Sequence, residues 1–141
     1  MDILVLIGRI LFSLLFLSSS VNHFTHTKMM SGYAMSKGIP QQAATPAVLG
    51  GGLLAGLGGL SVLLGIWADL GALLLAAFLL PTAVVMHGFW AESDPQAKQM
   101  EMIHFLKDIS LAGASLMLLA FFAYAGHDLG LTITGPLLRI D

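Results

Sequence analysis

The stretch that decides the fold is Ala43–Leu64, AATPAVLGGGLLAGLGGLSVLL, which carries no charged residue. Its length lies within the roughly 17–25 apolar residues that an α-helix needs to cross a bilayer. In a soluble protein its glycines would suggest a phosphate loop, but the Gly-Lys-Ser/Thr ending and the preceding strand are missing. In a membrane helix Gly52 and Gly56 form a small-x-x-x-small pair, and Gly51, Ala55 and Gly59 form a second stripe beside it. Such stripes let backbones approach where lipid supplies no hydrophobic drive between helices. The Gly52/Gly56 face is therefore expected to pack a helix, whether from this chain, from a partner subunit or from a second copy.

Three further apolar runs flank it, at Ile3–Ser20, Leu70–Met86 and Ile103–Ala125. The first has no basic cluster before it and ends in Ser18-Ser19-Ser20 without a small-x-small cleavage pattern, so it is expected to stay as a helix. Gly65–Asp69 is so short a link that the second and third spans must form an antiparallel hairpin, with Trp67 at the interface. Trp90 is its counterpart in the loop from His87 to Met102. The long polar link Val21–Gln42 contains Met29, Met30, Tyr33, Ala34 and Met35, which suit a short helix lying on the membrane surface. The expected fold is an all-α membrane protein: a four-transmembrane-helix bundle, residues 1–141 forming one domain, with an interfacial helix or loop between helices 1 and 2.

Composition agrees. Of 141 residues 57% are hydrophobic and 10% charged, against about 25% charged in soluble proteins. A net charge of -2 removes the electrostatic case for nucleic-acid binding. Zero cysteines exclude disulfides, iron–sulfur ligation and thiol relays within this sequence. Lys28, Lys37 and Lys98 fall in the first and third loops, whereas the other side offers Arg139 and Arg9, which weakly favours a cytoplasmic first loop.

Ionisable groups at membrane depth cost about 2.5–3.5 kcal/mol on insertion scales, so they mark function by default. On the last span His104, Lys107, Asp108, Leu111 and Ser115 share one face, and on the first span Arg9, Ser13, Phe16, Ser20 and His23 do. Both stripes should face the interior. Lys107 and Asp108, being adjacent, are each expected to pair with another helix rather than with one another. The topology brings His23, His26, His87, His104, Lys107 and Asp108 to one membrane side. Arg9 belongs nearer the other side, where Asp69 is its expected partner and Asp108 the alternative. Pro81, six residues before His87, deprives Ala77 of its helical donor and should kink the third span.

Three chemistries fit that polar group. His23, His26, His87 and His104, with Met29 and Met30 nearby, offer ligands for copper or zinc. Alternatively His104 and Lys107 hydrogen-bond quinone carbonyls, the other ionisable groups exchanging protons. Finally the groups can simply satisfy one another and fix helix order.

The motifs Gly8-Arg9-Ile10, Phe16–Ser20, Tyr33–Pro40, Leu63–Trp67, His87-Gly88-Phe89-Trp90 and His104–Leu111, in this order and spacing, resemble the DoxX family of small four-helix membrane proteins. Two positions depart from it: His23 stands where members often carry Lys, and Asp69 where a basic residue is frequent. The resemblance implies a prokaryotic inner-membrane protein that serves as an accessory or quinone-facing subunit of a redox complex. Relatives are linked to thiosulfate:quinone oxidoreductase, to terminal quinol oxidases, and to an assembly with superoxide dismutase and a sulfurtransferase. It carries over Arg9, His87, His104 and Lys107 as a polar core. Distant four-helix relatives act as cargo receptors, so a scaffold, and after it a small-molecule or ion carrier, stay as alternatives. With no Cys or haem-attachment motif here, quinone is the expected cofactor, ahead of haem or copper.

Overall fold

The computed structural model describes residues 1–138; Arg139 lies outside the described residues. Five α-helices form: α1 (Asp2–Thr25), α2 (Thr27–Ser36), α3 (Gln41–Leu64), α4 (Ala68–Met86) and α5 (Pro95–Ala125). Short 3-10 turns occupy Phe89–Ala91 and Gly126–Asp128. α1, α3, α4 and α5 are each long and apolar enough to cross a membrane. The protein is thus an all-α membrane bundle, and α2 is the short helix expected between the first two spans.

The spans match the expected runs but extend beyond them at their polar ends. α5 starts at Pro95 rather than Ile103, because Asp94 caps it by accepting from Ala97 N at 2.8 Å and Pro95 sits in the first turn. Hydropathy locates the membrane, whereas capping chemistry locates the helix end.

α1 packs antiparallel on α3, α3 on α4 and α4 on α5. Glycines let α3 approach α1 and α4 closely. A Cβ on Gly52 would lie 2.7 Å from His23 Cβ, and one on Gly56 would lie 2.5 Å from Ser20 Oγ. Gly58 abuts Leu75 and the Gly71 carbonyl of α4, where its Cβ would fall 2.7 Å from Leu75. The Gly52/Gly56 face is therefore filled by α1, and the expectation that it receives a partner subunit or a second copy is corrected. The shared core is Phe16, Ala55, Val62, Ala72, Leu75, Leu79, Ala112 and Phe122.

At the end of the bundle carrying Trp67, the segment after Gly126 folds back over the α3–α4 turn. Arg9 donates from Nε to Val62 O (2.8 Å), from Nη2 to Leu63 O (2.6 Å) and from Nη1 to Leu131 O (2.7 Å). Asp69 accepts from Leu137 N (3.0 Å) and Leu138 N (2.6 Å). Arg9 pairs with neither Asp69 nor Asp108. The final turn of a helix leaves carbonyls without donors, and the five N–H groups of a guanidinium satisfy several at once.

Candidate functional site

Toward the opposite membrane side the helices differ in length. His23, near the end of α1, meets Gly52, which lies eleven residues after the start of α3. At ~1.5 Å per residue α3 continues about 16 Å beyond that level, and no continuation of α1 accompanies it. The chain turns at His26 into α2, whose Ala34 packs against Ala44 and Val48 of α3. The space left between the end of α1 and α2, α3, α4 and α5 is a cavity of about 750 Å³. Leu54, Phe78, Leu79, Val85, Met29 and Met30 make much of its wall. Pro81 also lines it, with Thr82 Oγ1 bonded to Phe78 O at 2.7 Å in the turn before it.

Polar groups meet the cavity at two levels. At its inner end stand Ser19 and His23. At the end nearer the membrane face stand His87, Lys107 and Asp108. His87 Nδ1 lies 2.8 Å from Glu101 Oε2, and its Nε2 lies 3.7 Å from Asp108 Oδ2. Lys107 Nζ is 3.6 Å from Asp108 Oδ1 and 3.5 Å from His104 Nδ1, and its side chain keeps 45% exposure. His104 stacks on His87 with ring centroids 5.1 Å apart, outside the cavity wall.

Behind His87 lies a group of residues that hydropathy left in loops. Glu101 accepts from Tyr33 OH at 2.8 Å and from Lys37 Nζ at 2.7 Å, and Lys37 also reaches Glu92 at 2.8 Å. Burial opposes the charge on Lys37, but hydrogen bonds to Glu101 and Glu92 outweigh it and hold the ammonium above its ordinary range. Burial, reinforced by the hydrogen bond to Glu101, pushes the Tyr33 phenol up. Glu101 thereby ties α2 to α5 and to the end of α4. Its signal in the sequence is spacing, since Glu101, His104 and Asp108 share one face of a helix that begins at Pro95.

Of the expected site residues, His87, His104, Lys107 and Asp108 come together, and His23 faces the same cavity from farther inside. Arg9 does not, being bonded to carbonyls at the other end. His26 is exposed and bonds Thr25 Oγ1. Lys107 and Asp108 approach each other after all, a correction to the expectation of separate partners, while Asp108 also faces His87 from α4. Among the described residues no three His, Asp or Glu side chains gather to hold a metal ion, so the set His23, His26, His87 and His104 is not assembled as a copper or zinc site.

The DoxX family model matches residues 4–88, from the start of α1 through the end of α4. The chain belongs to the DoxX family. Within this DoxX protein the match contains Arg9, His23 and His87 but stops before α5, so Glu101, His104, Lys107 and Asp108 lie past the matched residues. No curated protein and no solved structure matches the chain.

Proposed function

We propose that this DoxX protein is a quinone-facing subunit of a membrane redox complex, a single DoxX-like domain of a prokaryotic inner membrane that acts with partner subunits. The observation that carries the reading is the cavity of about 750 Å³, whose wall is largely apolar and whose outer end meets His87, Lys107 and Asp108. Small-molecule pockets typically hold 300–1,000 Å³, with a few polar groups fixing orientation. The Lys107 ammonium is held only loosely, at 3.5 and 3.6 Å, so it is free to donate to a quinone carbonyl. His104 orients the His87 ring by stacking rather than touching the ligand. With no cysteine in the sequence, the electrons pass through the bound quinone and a partner's redox centre.

A scaffold that docked through the Gly52/Gly56 face is disfavoured, because α1 packs that face. A carrier role would use the same cavity and predicts substrate flux into liposomes holding this protein alone. The deciding experiment isolates the native complex and measures bound quinone and quinol turnover with wild-type protein and Lys107→Ala. Loss of a hydrogen bond from a charged donor costs roughly tenfold or more, so quinone retention and turnover should fall at least that far. No bound quinone in the wild type, with turnover unchanged in the variant, would overturn the proposal.

A further inference from the structure

His23 presents the inner end of the cavity with a nitrogen that nothing else occupies. The residue is 9% exposed and lines the cavity. Its Nδ1 lies 2.8 Å from the Ser19 carbonyl and 3.4 Å from Ser19 Oγ. A carbonyl oxygen can only accept, so Nδ1 carries the hydrogen, and Nε2 of the neutral ring is an acceptor. Nε2 points past Gly51, 3.4 Å from where a Cβ would stand, and the Phe78 ring sits edge-on with centroids 5.8 Å apart. Among the described residues none hydrogen-bonds Nε2, and Phe16, Leu54 and Phe78 make the surrounding wall apolar. An acceptor that faces a largely apolar cavity is best matched by a donor on whatever fills the space.

The two polar levels are set apart along the bundle. Phe78, beside His23, precedes His87 by nine residues of α4, which is about 13 Å along the helix. The levels also differ in chemistry: Lys107 donates, whereas His23 Nε2 accepts.

We infer that His23 makes the inner end of the cavity a station for a hydroxyl group, which binds the hydroquinone form of a prenylated or alkylated benzoquinone in preference to the quinone. This rests on the quinone reading above and adds which redox form is held, and where. A hydroquinone hydroxyl donates to Nε2, whereas a quinone oxygen sets acceptor against acceptor. A site built around one buried hydrogen-bonding group rejects the analogue that leaves it unmatched.

The test uses the full chain in phosphatidylcholine nanodiscs and equilibrium dialysis of a decyl-benzoquinone, its hydroquinone and the di-O-methyl ether of that hydroquinone. Reductant is present in the hydroquinone and ether arms and omitted from the quinone arm, and it leaves the protein unchanged because there is no cysteine to reduce. The hydroquinone should bind about tenfold more tightly than the other two, the scale of one satisfied buried acceptor. His23→Gln, whose amide either donates or accepts, should reduce that preference to less than twofold while the protein still binds. In the wild type, ¹⁵N NMR of His23 should move on adding hydroquinone and stay in place on adding quinone, a readout independent of whether the variant folds. Equal binding of both redox forms, or a preference that His23→Gln leaves intact, would overturn this inference while the quinone reading stands. Failure of all three to bind would overturn the reading beneath it. Displacement of the hydroquinone by an equal concentration of monoolein would assign the station to a lipid hydroxyl instead.

Discussion

At the scale of single residues, the balance between charges and carbonyls decides most of this molecule. Glu101 accepts from Tyr33, Lys37 and His87, groups belonging to α2, the link after it and the end of α4. Removing its carboxylate leaves three donors unmatched, and hydrogen bonds to charged groups are worth about 1.5–3 kcal/mol each. Glu101→Ala should therefore loosen α2, raising hydrogen exchange across Thr27–Ser36 at least tenfold with little change in α3. Lys37 adds a pH dependence with a definite sign. A lysine raised above its ordinary 10.5 contributes stability in full below that value and loses it only as pH climbs through the higher folded value. The Lys37 contribution to α2 docking should thus be constant from pH 7 to about pH 10. Comparing melting of wild type and Lys37→Met in detergent across that range checks it: a constant difference is expected.

At the scale of elements, the glycines of α3 fix how near its neighbours come. A Cβ on Gly56 would stand 2.5 Å from Ser20 Oγ, whereas nothing lies within 4 Å of one on Gly50. Gly56→Val should cost about 1–3 kcal/mol by overpacking and lower the melting temperature, while Gly50→Ala leaves it nearly unchanged. Both effects are expected in the isolated protein, because the Gly56 contact lies between α1 and α3. The same crossing sets the roof of the cavity, since His23 lies against Gly51 and Gly52. The length of α1 thus sets a dimension of the cavity, which its last turns help to line.

At the scale of the whole molecule, the two ends of the bundle are built differently. One end is closed by the irregular segment that follows Asp128, held by Arg9, by Asp69 and by backbone bonds from Ile133 and Thr134 to Gly65. Asp69 is fully buried, so removing its two amide donors leaves a buried carboxylate without those partners. Truncation after Asp128 should destabilise the bundle by about 3 kcal/mol or more, read as a fall in detergent melting temperature, and Asp69→Leu in the truncated chain should recover part of it. The other end opens on the cavity and is covered by α2.

The sequence by itself determined the class, the spans and the inward faces. Membrane helices leave a local record in uncharged length, as in Ala43–Leu64, and helical spacing alone sets Ser13, Phe16 and His23 on the buried side of α1. It also marked His87, His104, Lys107 and Asp108 as neighbours, because helix ends on one membrane side must converge. Partners were a different matter. That Arg9 answers carbonyls rather than Asp69, that α1 rather than another protein fills Gly52 and Gly56, and that Glu101 gathers Tyr33, Lys37 and His87 all depend on helix length and tilt. Those contacts link residues dozens of positions apart, and periodicity reports only which face a side chain occupies. Only the tertiary structure decides what it finds there, because packing chooses among several chemically adequate partners by distance.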